Sequence, residues 1–161
     1  VSSNNSELGG ITASLYQNTD TTVEGLTFTD NIGGLSVGYP DGLYLSDATF
    51  SNNTDTALTA YQIGSATLER VVFSGNTSDD DPGALDLSGD TTLTDITLTD
   101  NQGVSADGIY LSSGTLTATG VTASGQSIDL SVDGHTDDYT LGTDAAFTCT
   151  ADTDTPCSFS E

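Results

Sequence analysis

Lysine, methionine and tryptophan are missing from this 161-residue sequence, and the only arginine is Arg70. Against that single cation stand 24 acidic residues, for a formal net charge of −23. Nucleic-acid binding needs lysine and arginine for the phosphates, and an anionic membrane surface needs the same, so neither partner is expected. A surface this acidic reads first as a device for solubility and against self-association. No apolar run approaches the roughly 18 residues of a membrane span, so membrane insertion is not expected either. No signal peptide is visible, and a chain without Met that begins at Val1 reads as a mature product or a piece of a longer chain.

Helical spacing is also lacking. Nowhere do apolar residues recur at a period of 3.6 over the ten to twelve residues a helix needs, and Thr, Ser, Asp, Asn and Gly, all poor helix interiors, dominate. Histidine occurs once, as His135 in "VDGHTDDY", a loop rich in Gly and Asp that reads as solvated rather than catalytic. The two cysteines, in "CTADTDTPC", have no histidine or further cysteine beside them. A metal site is therefore not expected, and a disulfide between Cys149 and Cys157 points to an oxidising, extracellular compartment.

What the chain does contain is repetition. "LTFTDN" at Leu26 to Asn31 returns as "ATFSNN" (Ala48 to Asn53), "VVFSGN" (Val71 to Asn76), "ITLTDN" (Ile96 to Asn101) and, more weakly, "VTASGQ" (Val121 to Gln126). The last positions are 22, 23, 25 and 25 residues apart. Apolar residues alternate with Thr or Ser inside the motif, the period of a strand with one buried face, and the fifth position reads as free. Three residues upstream of each motif another apolar residue recurs, and further upstream a second alternating segment, such as "GGLSV" at Gly33 and "GALDL" at Gly83.

Units of 22 to 25 residues built only from short strands and turns predict an all-β, single parallel β-helix of about five to six coils, in which equivalent strands of successive coils pair side by side. Leu26, Ala48, Val71, Ile96 and Val121 then form one inward column, with Phe28, Phe50, Phe73, Leu98 and Ala123 forming the next. Asn31, Asn53, Asn76 and Asn101 form a ladder at the turn, each carboxamide bonding its equivalent one coil away.

The pairing of "GGLS" and "GALD" with "FTDN", "FSNN" and "FSGN" resembles the repeats of polymorphic outer-membrane proteins and related right-handed β-helix passengers of autotransporters. The resemblance covers about residues 9 to 132. It implies a right-handed coil and a secreted surface protein, and because it encodes coil packing it says little of chemistry.

Single residues offer few alternatives. Arg70 stands where the other coils have Gly25, Asp47, Asp95 and Gly120. A polysaccharide lyase would need it as a base with basic companions; a salt bridge to Asp47 or Asp95 is the simpler expectation. The run Asp79, Asp80, Asp81 is read as a solvated turn, with calcium carried as the alternative because hard cations take carboxylate oxygens. The outward residues of the repeated motif make a grid: Thr27, Thr49, Thr97 and Thr122 in one column, interrupted by Val72, and Thr29, Ser51, Ser74, Thr99 and Ser124 in the other. In outward residue type this grid resembles the ice-binding face of insect-type β-solenoid antifreeze proteins.

The sequence thus divides into an N-terminal edge segment (1–10), the β-helix repeats (11–132) and a last partial coil with a disulfide-pinned cap (133–161). The expected function is that of an extracellular or cell-surface structural and adhesive module, not an enzyme and without a cofactor, whose partners are copies of itself, joined end to end, or other surface proteins and glycans. Ice binding and carbohydrate binding or degradation are the competing classes.

Overall fold

A computed structural model describes residues 14–16, 19–104, 106–114 and 116–125, together with the backbone of residues 13, 130–132, 139–141 and 148–150. The chain winds through three strands per coil. The first coil supplies β1 (Ala13–Tyr16), β2 (Thr21–Glu24) and β3 (Thr27–Thr29), and the second β4 (Leu35–Gly38), β5 (Gly42–Ser46) and β6 (Thr49–Ser51). The third supplies β7 (Leu58–Tyr61), β8 (Ser65–Glu69) and β9 (Val72–Ser74), and the fourth β10 (Leu85–Ser88), β11 (Asp90–Thr94) and β12 (Thr97–Thr99). The fifth carries β13 (Ile109–Ser113), β14 (Leu116–Thr119) and β15 (Thr122–Ser124), and the sixth β16 (Leu130–Val132), β17 (Tyr139–Leu141) and β18 (Thr148–Thr150).

Every first strand pairs in parallel with the first strands of the adjoining coils, giving sheet A; the second strands give sheet B and the third sheet C. Each sheet is six strands deep, and no helix occurs among the described residues. At the usual interstrand spacing the stack is roughly 25 to 30 Å long.

The core follows from the alternation. In sheet C, Phe28, Phe50, Phe73, Leu98 and Ala123 lie in register and point inward, all essentially inaccessible. The Phe50 and Phe73 rings stack with centroids 5.1 Å apart. In sheet B, Leu45, Leu68, Leu93 and Ala118 form the matching column. Leu35, Leu58, Leu85 and Ile109 do so in sheet A. Ala48, Val71, Ile96 and Val121 are buried at the corner between sheets B and C, with Leu26 partly covered beside them.

Corners are single left-handed residues. Between sheets B and C these are Gly25, Asp47, Arg70, Asp95 and Gly120, with φ between 53° and 66°. Between sheets C and A they are Asp30, Asn52, Gly75, Asp100 and Gly125, with φ between 52° and 72°. The motif position that reads as free is therefore restricted: left-handed backbone favours Gly, Asn and Asp, and every repeat supplies one of the three. The glycines before sheet A have another cause. A Cβ on Gly34 would collide with the Thr56 carbonyl, and one on Gly83 with that of Gln102, so strands β4 and β10 begin only after them.

Behind the C-to-A corner runs the asparagine ladder. The backbone N–H and a carboxamide N–H of Asn53 both donate to Asn76 Oδ1, and those of Asn76 both donate to Asn101 Oδ1. The second carboxamide hydrogen goes to the preceding coil: Asn53 donates to the Phe28 carbonyl, Asn76 to Phe50 and Asn101 to Phe73. Each inner amide thus ties three coils together. Gln126, the last position of the weaker fifth repeat, lies outside the described residues.

Candidate functional site

Three features of the surface could carry function, and each sits at a different place on the coil. The first is the hydroxyl grid on sheet C. Thr27, Thr49, Val72, Thr97 and Thr122 align in one outward column, and Thr29, Ser51, Ser74, Thr99 and Ser124 in the other. Thr29 and Ser51 hydroxyls are 3.0 Å apart and form a hydrogen bond in which either can donate. Val72, 37% exposed, breaks the first column at its centre.

The second is the acidic turn leading into β10. Asp79, Asp80 and Asp81 line an open cleft of about 450 Å³ together with Asp55, Thr54, Thr77 and Ser78. Among the described residues no three His, Cys, Asp or Glu side chains are grouped so as to hold a metal ion, this turn included. Asp86 follows on the outward side of β10, where burial and then the neighbouring Asp81 charge push its carboxyl up to about 6.

Arg70 occupies the B-to-C corner. Its Nε and Nη2 donate to the two carboxylate oxygens of Asp47 at 2.7 and 2.9 Å, and its Nη1 lies 2.6 Å from Glu69. Tyr44 donates to the other side of Glu69 at 2.7 Å. The Arg70 hydrogen bonds hold Asp47 below the usual carboxylate range; those of Tyr44 and then Arg70 do the same for Glu69. Of the two expected partners, Asp47 is engaged, Asp95 is not, and Glu69 takes its place.

The third feature is aromatic and lies at the A-to-B corner. Tyr16, Gly38 and Tyr61 are in register at the ends of β1, β4 and β7, so two tyrosines flank a glycine. A Cβ at Gly38 would stand 2.7 Å from the Tyr61 ring and 3.1 Å from that of Tyr16, which is why both rings can lean over the middle coil. Tyr39, left-handed at φ 64°, turns the third ring onto the same patch. Tyr16 and Tyr39 are tilted by 37° with centroids 6.4 Å apart, and Tyr61 stands edge-on to both at 6.4 and 5.6 Å. Tyr16 is 60% and Tyr39 49% exposed. The hydrogen bond with Tyr16, then burial, pushes the Tyr61 phenol up to about 12.

The chain matches the right handed beta helix region family over residues 2–140. It is a right-handed β-helix. No curated protein and no solved structure matches the chain. The β-helix family accounts for the columns, corners and ladder, and leaves the surface features to be read from this sequence alone. His135 and the Cys149–Cys157 pairing lie outside the described residues, apart from the backbone of Cys149 within β18.

The tyrosine patch is not marked by the repeated hexamer because it lies outside it, at the end of strands β1 and β7 and just past β4. A signal was present: Tyr16, Tyr39 and Tyr61 are 23 and 22 residues apart, the period of the coil.

Proposed function

We propose that this β-helix is an extracellular structural and adhesive module that assembles end to end. The observation that supports assembly is the unfinished rung at Asn31. Asn31 is 2% exposed, yet its Oδ1 has no hydrogen-bond partner among the described residues, whereas the Oδ1 of Asn53, Asn76 and Asn101 each accepts two hydrogens from the coil before. A buried acceptor left open costs about 1 to 3 kcal/mol, so a further coil donating there is favoured. Among the described residues, strands β1, β2 and β3 come first in the three sheets at the same end and offer backbone groups in the same direction. A contact of this kind is heterologous and does not close, so it yields filaments.

The reading is non-catalytic. Arg70, the residue a lyase would use as base, is engaged by both Asp47 and Glu69. Electron microscopy of the purified chain tests the proposal: rods of varied length support it, and uniform particles roughly 30 Å long at every concentration defeat it. The aligned threonine columns favour ice binding as a second reading, and thermal hysteresis in a freezing assay, lost in Thr97→Leu, is what that reading requires.

A further inference from the structure

We propose that the A-to-B corner over the first three coils is a binding site for neutral saccharides, with Tyr16 and Tyr39 as the stacking platform and Tyr61 as its wall. The inference rests on the adhesive part of the function proposed above and supplies the class of ligand.

Aromatic rings held this far out of the core are the first reason. Leaving Tyr16 and Tyr39 about half in water forgoes their burial, and large exposed aromatic patches mark interaction surfaces. Their geometry is the second. Two rings tilted by 37°, both roughly perpendicular to a third, form a shallow bent shelf with one upright side. The rings touch one another, so no cage is left between them for a cation, and what they offer is an open face for a flat ligand with C–H groups, as one side of a pyranose has.

Hydrogen-bonding groups follow the shelf along the chain, where it turns into sheet B. Asp20 and Gly42 come four and three residues after Tyr16 and Tyr39, within about 14 Å along the chain at full extension and less around a corner. There the pattern of the tyrosine row repeats: Gly42 stands between the acidic Asp20 and the hydroxyl of Ser65, and the Asp20 carboxylate lies 3.0 Å from where a Gly42 Cβ would be. The result is a groove of about 280 Å³ lined largely by hydroxyls and this carboxylate, with Tyr44 among the lining residues. A carboxylate with several hydroxyls is a donor and acceptor set for sugar hydroxyl groups.

Charge selects among ligands. A net charge of −23 disfavours uronic or sulfated sugars. A basic peptide would be drawn to the densest acidic cluster, which is the Asp55 and Asp79–Asp81 cleft at the C-to-A corner, where none of the lining residues is aromatic. The tyrosines are at a different corner, and this separation favours an uncharged ligand.

Calorimetric titration of the full chain with cellohexaose, laminarihexaose and chitohexaose, with hexagalacturonate and hexalysine alongside, tests the site. At least one neutral hexamer should bind; Tyr16→Ala and Tyr39→Ala should each weaken it about tenfold, Tyr39→Phe should keep it, and Thr97→Ala on sheet C should leave it unchanged. Both tyrosines are exposed, so matching urea unfolding curves will show that the variants fold. No binding to any neutral hexamer, binding indifferent to both alanine substitutions, or tyrosine-dependent binding of hexalysine alone would each overturn the proposal. Titration heat does not depend on filament formation: a chain that forms rods but binds no sugar defeats this site alone, and one that binds sugar but stays monomeric defeats only the assembly.

Discussion

Asn76 Oδ1 accepts two hydrogens from Asn53, one from the carboxamide at 2.8 Å and one from the backbone N–H at 3.1 Å. The Oδ1 of Asn31, first in the same ladder, accepts none from the described residues. One residue type at one motif position therefore has two energetic roles, set by whether a described residue of the coil before donates to it. Asn76→Ala strands both Asn53 donors, takes one of its two hydrogens from Asn101 Oδ1 and removes the side-chain donor to the Phe50 carbonyl, and should destabilise by about 2 to 4 kcal/mol. Asn31→Ala should cost visibly less. Urea midpoints that rank the two variants the other way contradict the ladder.

The core columns predict a sharp contrast between chain neighbours. Phe73 is fully buried between Phe50 and Leu98, while Val72 faces outward. Phe73→Ala should cost about 3 to 5 kcal/mol through the cavity it leaves, and Val72→Ala less than about 1 kcal/mol. Similar losses at the two positions would place the strand in the wrong register.

Asp86 predicts an inverted pH response. Its carboxyl is raised in the folded chain from the ordinary 3.8 to about 6, so between those values the folded state holds its proton more tightly than the unfolded one. Its contribution to stability is present below about pH 4 and is lost as pH rises towards 6. Asp47 and Glu69 run the other way: both are lowered, and their contributions, present above 3.8 and 4.5, are lost as pH falls. Asp86→Asn should therefore raise stability at pH 7, on the order of 1 kcal/mol because the open side of the carboxyl is screened by water, and flatten the slope between pH 4 and 6. A slope unchanged in the variant, measured by unfolding at several pH values, would assign the effect elsewhere.

Arg70 combines an exposed ion pair with a left-handed backbone at φ 55°. The pair is worth little in water and less in salt, while the backbone favours glycine. Arg70→Gly should therefore be close to neutral in thermal unfolding, and Arg70→Val clearly destabilising. A large loss in Arg70→Gly would show that the Asp47 and Glu69 contacts outweigh the backbone.

How much of this was legible in the sequence depends on how local the cause is. The inward columns and the ladder follow from alternation and spacing, because stacking equivalent residues on successive coils leaves them no other place. The corner restriction at Asp30, Asn52, Gly75, Asp100 and Gly125 was hidden behind apparent variety, since three residue types satisfy one left-handed φ. The tyrosine patch was the least visible: Tyr16 and Tyr61 sit at one register and Tyr39 one residue past it, and only the missing Cβ of Gly38 lets three rings share a surface.

End-to-end assembly is tested most directly at Thr27. Thr49, Val72, Thr97 and Thr122 each donate their backbone N–H to the preceding coil, at 2.8 to 3.0 Å. Thr27 holds the same register in the first coil, where its N–H meets no acceptor among the described residues. Thr27→Pro removes that donor without breaking a hydrogen bond among the described residues, and proline is tolerated on an edge strand. Sedimentation velocity over rising protein concentration should show the wild type shifting to longer species, more so in salt that screens its charge, and Thr27→Pro remaining monomeric. A wild type that sediments as a monomer throughout, or a proline variant that assembles equally well, contradicts growth from this edge.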